Sequence, residues 1–212
     1  FDMSTAKHMD KERLDSELER KLLEYEEIYG RGKGDVEVNQ RLQGVIQRAF
    51  QQTGKQVVVL IDEYDAPLTS CLNQHELFNA VRGQLSEFYA VLKSHDRALR
   101  FVFITGITKF NKMRIFSELN NLSDISLAPR FGSLLGYTHE EVQTYFGPYI
   151  AKSAEVLSIG QNELLDLLAA HYDGFCFEES GTKKVFAPWS LLNFFAQPDR
   201  GFKDYWFESG GR

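Results

Sequence analysis

The stretch VVVLIDEYDAP, Val57 to Pro67, decides how the rest of the chain is read. Five apolar residues run without alternation into Asp62 and Glu63, and Asp65 follows two places on. A continuous apolar run of strand length fits a parallel strand covered on both faces, because a strand with one wet face alternates apolar and polar residues. RFVFITG, Arg100 to Gly106, is a second run of this kind and ends in Thr105.

Helical periodicity surrounds these two runs. Met9 to Gly30 is rich in Glu, Lys and Arg, with Leu14, Leu18, Leu22 and Leu23 at helical spacing and Gly30 as its stop. Val38, Leu42, Val45, Ile46, Ala49 and Phe50 mark one face of a second helix, closed by Thr53-Gly54-Lys55. Beyond Pro67, the spacing of Leu77, Phe78, Val81, Leu85, Phe88, Tyr89 and Leu92 predicts a third. Helix, strand, helix, strand in this order argues for an α/β fold with right-handed crossovers. A short strand is expected within Ser133 to Gly136, in the same parallel sheet. Thr138 and Glu141 match a capping box ahead of Val142, Tyr145, Phe146, Tyr149 and Ile150. A short helix is expected over Glu163 to Tyr172, and a last one with Ser190 as its N-cap.

Composition narrows the function classes. The 212 residues are 43% hydrophobic, enough for a real core, and the net charge of −6 argues against a nucleic-acid-coating surface. No apolar run approaches the ~18 residues of a membrane span. Cys71 and Cys176 are far apart and read as free thiols in a reducing compartment, so a cytoplasmic location is expected. The five histidines form no metal-binding spacing. The Gly-rich stretch YGRGKGD, Tyr29 to Asp35, lacks the spacing of a phosphate loop and reads as a turn. The chain opens with Phe1, so a piece of a longer protein is expected.

An apolar strand that ends in Asp-Glu is the Walker B pattern of P-loop NTPases. Its chemistry asks for Asp62 on the Mg²⁺ that bridges the terminal phosphates, and for Glu63 on the attacking water. Neighbouring side chains on a strand point apart, so the two acids can serve different atoms. A polar residue on the next strand should stand near the transferred phosphate, and Thr105 is so placed. Spacing alone leaves two other readings open. One is a strand leading into a solvated turn. The other is a nuclease metal site built from Asp62, Glu63 and Asp65, which lacks the lysine such sites pair with their acids.

VVVLIDEYDAPL, FVFITGITKFNKMRIFSELNNLSDIS, LLGYTHEEV, YDGFCF and APWSLLNFF, in this order, resemble the bacterial AAA-ATPase-like family, common in gut Bacteroidetes. The resemblance covers nearly the whole chain. It implies an additional-strand ATPase of the P-loop class: a three-layer α/β/α fold with a parallel sheet in strand order 5-1-4-3-2. It divides the chain into an α/β core over residues 1–150 and a mainly helical lid region over 151–212. It makes Asp62 and Glu63 the Walker B pair, with Asp62 as the metal and nucleotide ligand. Tyr64 and Asp65 complete the DEYD signature at the turn after the strand. Thr105 takes the sensor position, Lys109 is a candidate phosphate contact, and Arg114 and Arg130 are candidate charge-neutralising arginines. The implied cofactors are ATP and Mg²⁺. Longer members of the family carry a C-terminal nuclease domain, which would bring nucleic acid as a partner.

In the family, a phosphate loop precedes the region that FDMS, Phe1 to Ser4, resembles, and no Gly-Lys-Ser/Thr occurs in the 212 residues. The expectation is therefore a fragment without its first strand and loop, unable to bind ATP well by itself. A degenerate NTPase fold that serves as a protein-interaction module is the competing function class.

Overall fold

The computed structural model describes residues 1–8, 10–107 and 122–205. The chain divides into two compact units, Phe1–Leu122 and Ser123–Arg212. This division falls short of the expected boundary at 150, which lies inside a helix of the second unit. The apolar stripe of that helix explains the difference: Val142, Phe146, Ile150 and Ala154 belong to one continuous core.

The first unit is built from α1 (Lys11–Tyr29), α2 (Val38–Thr53), β1 (Val57–Ile61), the single-turn α3 (Ala66–Thr69), α4 (His75–Ser94) and β2 (Leu99–Ile104). Both long N-terminal helices stop where the sequence demands. Gly30 has φ +84° and Gly54 φ +66°, a left-handed region that a side chain disfavours and glycine enters freely. Asp10 caps α1 by accepting a hydrogen bond from the Arg13 amide.

Strands β1 and β2 are parallel, with Val58 opposite Phe101, Val59 opposite Val102, Leu60 opposite Phe103 and Ile61 opposite Ile104. Residues Phe1 to Met3 extend this sheet on the other edge of β1. The Asp62 N–H donates to the Phe1 carbonyl at 2.8 Å, and the Met3 N–H donates to the Asp62 carbonyl at 2.9 Å. Asp2 thus pairs in parallel with Asp62, and the order across the sheet is Phe1–Met3, β1, β2.

One face of this sheet is the core. Val59, Ile61, Val102 and Ile104 meet Leu14, Leu18 and Leu22 of α1, Leu42 and Ile46 of α2, and Leu85 and Phe88 of α4. Among the described residues of this unit the other face is open: Val58 is 51% exposed, Leu60 55%, Phe101 54% and Phe103 37%. The unbroken apolar runs had implied cover on both sides. Among the described residues only one side has it, because α1, α2 and α4 all lie on the same face.

A buried ion pair fastens α1 to α2. Arg41 grips Glu26 through two hydrogen bonds of 2.9 and 2.7 Å, and its third nitrogen reaches Glu19 at 2.9 Å. Both partners of the bidentate pair are almost fully buried, which fixes how these helices meet.

The second unit packs α5 (His139–Leu157), α6 (Gln161–Tyr172) and α7 (Pro188–Ala196) around Phe146, Leu164, Leu168, Leu191 and Phe194. The capping box at Thr138 and Glu141 forms as expected. Two expectations fail here. Ser133 to Gly136 is a turn, not a strand, with Leu134 and Leu135 both exposed; its neighbour Tyr137 makes a single antiparallel bridge to Phe186. Ser190 does not cap α7, because Pro188 starts the helix two residues earlier, at a position where proline's missing N–H costs nothing. The unit also contains a two-residue antiparallel pair, β3 (Phe175–Cys176) with β4 (Lys184–Val185). The turn between them closes on Glu178. The Ser180 hydroxyl and the amides of Lys183, Ser180 and Thr182 donate to its carboxylate, whose pKa they hold down at about 2.

Candidate functional site

The ladder between β1 and β2 does not end with the strands. The Thr105 N–H donates to the Ile61 carbonyl at 2.9 Å, and the Tyr64 N–H donates to the Thr105 carbonyl at 2.9 Å. Thr105 is thereby held beside Asp62, one step beyond Ile61 and Ile104. The alternation of the bare face continues through 58, 60 and 62 on one strand and 101, 103 and 105 on the next. Asp62 and Thr105 therefore emerge together, and the Thr105 hydroxyl donates to Asp62 Oδ1. They line a depression of about 400 Å³ with Phe1, Asp2, Leu60, Ile61 and Phe103. A second hollow, of about 490 Å³, lies around His95 to Ala98 at the start of β2, away from the acid pair. Parallel sheets bind ligands at the carboxyl ends of their strands, which favours the first.

Glu63 leaves the strand geometry. Its φ is +51°, uncommon for a residue with a side chain. Its amide faces Asp62 Oδ1 at 3.1 Å and the Thr105 hydroxyl at 3.4 Å. Its carboxylate meets the Lys7 ammonium at 3.2 Å. Asp65 is buried and accepts from the Ile107 amide at 3.1 Å, tying the turn after β1 to the turn after β2. Gly106 makes this crossing possible. A Cβ there would stand 2.5 Å from the Tyr64 ring and 2.6 Å from Asp65 Oδ1.

The three acids of DEYD thus serve three different partners: Thr105, Lys7 and Ile107. Among the described residues no group of three or more Asp, Glu, His or Cys gathers as metal ligands. A nuclease metal site would need the acids to converge. Mg²⁺ places a lighter demand, since it is commonly held by one or two carboxylates with substrate phosphates and water completing its shell. Asp62 suits that demand, because Oδ1 takes the bonds from Thr105 and Glu63 while Oδ2 takes neither.

Lys109 and Arg114 lie outside the described residues. Arg130, in the second unit, stands over the Phe131 ring at 4.4 Å. Lys7, Asp2 and Gly106 were not singled out from the sequence. A lysine in the segment after FDMS has no spacing relation to Glu63. Gly106 alone left a trace, as the glycine directly after the second apolar run.

Comparison with known proteins bears on the same region. The family described as "Predicted AAA-ATPase" matches residues 1–116, more than half of the chain. The "Uncharacterized protein in vnfD 5'region" of Azotobacter chroococcum mcd 1 is 36% identical over 166 residues, which cover 78% of this chain and 29% of that protein. The chain therefore spans less than a third of this curated relative. No solved structure matches. The matched residues include β1, β2, the DEYD turn and Thr105, and on that match the chain belongs to the predicted AAA-ATPase family.

Proposed function

We propose that the full-length protein binds Mg-ATP and hydrolyses it at the carboxyl ends of β1 and β2. The observation that carries this reading is the pairing of Asp62 with Thr105 at the tips of adjacent parallel strands, with Glu63 turned away beside them. Asp62 would hold Mg²⁺, and the ion would neutralise charge on the phosphates. Thr105 orients Asp62 through its one hydroxyl proton, and that proton would turn to the transferred phosphoryl group once Asp62 holds the ion. Glu63 accepts the proton of the attacking water once its carboxylate faces the depression.

Topology supports the P-loop type of fold. Crossovers from Phe1–Met3 to β1 to β2 all advance in one direction, so right-handedness places their helices on one face. Covering the other face calls for a crossover that runs back. A strand on the free edge of β2, joined through a helix to Phe1–Met3, would lay that helix over Val58, Leu60, Phe101 and Phe103. The order of strands would then reverse beside Thr105, where doubly wound sheets bind nucleotides. A phosphate loop at that reversal, outside these 212 residues, would supply the backbone N–H cradle. On this reading the 212 residues alone bind Mg-ATP poorly. A nuclease domain, nucleic acid as its partner and a cytoplasmic location belong to the proposal on the resemblance alone. Among the described residues no helix is long and apolar enough to cross a membrane.

The test is kinetic. In the full-length protein, Glu63→Gln should lower single-turnover hydrolysis by ~10²–10⁴-fold while ATP still binds, since that is the usual contribution of a general base. Asp62→Ala should weaken Mg-ATP binding. An unchanged rate in Glu63→Gln would remove the acid pair from the chemistry. The bare sheet face favours the interaction-module reading if neither variant alters a measurable ATPase.

A further inference from the structure

The Phe1–Met3 edge brings one more acid to the row of side chains at the strand tips. Phe1 packs against the core and Met3 is fully buried, so alternation turns Asp2, between them, to the open face of the sheet. Asp2 pairs in parallel with Asp62, and Asp62 stands beside Thr105. The three side chains therefore form one line across three adjacent strands, and all three line the same depression.

Two carboxylates side by side on one sheet face repel each other. Neither forms a salt bridge with any described side chain. Asp2 is nevertheless kept ionised. The Ser4 amide donates to its Oδ1 at 2.8 Å, and the bonds from the Ser4 side chain and backbone hold its carboxyl below the usual carboxylate range. A divalent cation at the strand tips offsets both charges. Adjacent strands lie about 4.8 Å apart, so one water can stand between an ion on Asp62 and the carboxylate of Asp2. Mg²⁺ suits such a place, because it sheds its waters reluctantly and keeps several of them when bound.

We propose that Asp2 is a positioning residue for Mg²⁺: Asp62 ligates the ion, and Asp2 accepts a hydrogen bond from water on that ion and so fixes where it sits. The proposal rests on the ATPase reading of the site. Outer partners of this kind are usually worth about 10–100-fold in metal affinity.

The test uses the full-length protein with a non-hydrolysable ATP analogue and Mn²⁺ in place of Mg²⁺, the bound metal being counted by electron paramagnetic resonance. Asp2→Asn removes the charge and keeps an oxygen for the Ser4 amide. It should lower the affinity for Mn²⁺ by about tenfold or more. Binding of the analogue in excess EDTA should be unchanged or tighter, because a negative charge has left the site. A merely structural aspartate would not separate these two readings, and an equal loss with and without metal overturns the proposal. Mn²⁺ affinity in Asp2→Asn that matches the wild type, with Asp62→Asn strongly weakened, overturns the role of Asp2 and leaves the ATPase reading standing. Mn²⁺ affinity untouched in both variants overturns both.

Discussion

Gly106 sets how closely two turns can approach. It follows Thr105 directly, and the Tyr64 ring and the Asp65 carboxylate occupy the space a side chain would need. Both neighbours are buried and bonded, so neither can yield cheaply. Gly106→Ala should destabilise the protein by about 1–3 kcal/mol, the usual cost of overpacking, with the urea midpoint as the measure. Because the Thr105 carbonyl accepts from Tyr64, the same change should displace the hydroxyl from Asp62 and lower turnover in the full-length protein. A stable variant with normal turnover would mean that the DEYD turn and the Thr105 turn are independent. The sequence carried half of this site. Asp62, Glu63 and Thr105 were legible because strand-end position is written in the apolar runs before them. Lys7 was not, because no periodicity links a loop lysine to an acid at the far end of another strand.

At the scale of elements, glycine stops and apolar stripes placed α1, α2, β1 and β2 to within about two residues. The turn at Ser133 to Gly136 misled because two adjacent leucines look like a strand, yet Gly136 packs its backbone against Val185 with no room for a Cβ. What no stripe reveals is the angle at which helices meet, and here a buried charge decides it. Arg41→Ala would leave Glu26 buried with only Arg31, at 3.9 Å, as a distant cation. The expected loss is about 3–5 kcal/mol, typical of breaking a buried pair from one side. Replacing both partners by methionine should recover most of it, since an apolar pair of similar volume restores the contact without an unpaired charge. Equilibrium unfolding of the two single variants and the double variant measures this. A near-zero cost for Arg41→Ala would show that the pair is not a staple.

At the largest scale, the decisive feature is a parallel sheet that the described residues of the first unit cover on one face only. Continuous apolar runs announced a sheet buried on both sides, and the described residues supply only one. If a further strand and helix complete the sheet, Leu60→Cys and Phe103→Cys should react with a maleimide quickly in the 212-residue chain. In the full-length protein they should react at least about tenfold more slowly, as for side chains removed from water. Of the native thiols, Cys71 is buried and Cys176 is partly buried, so the wild-type chain gives the background rate. Equal reactivity in both forms would mean that nothing is added over this face.

The three-residue edge formed by Phe1 to Met3 has its own consequence in the language of amide exchange. Asp62 lies just past the end of β1, where the amide hydrogens of a strand that stops would trade with solvent within moments. Its N–H is instead tied to the Phe1 carbonyl and its carbonyl to the Met3 N–H. Tyr64, two residues on, is tied to Thr105. These amides can pick up deuterium only when the sheet edges part, so the tip that carries the acids should keep time with the core of the first unit and not with its loops.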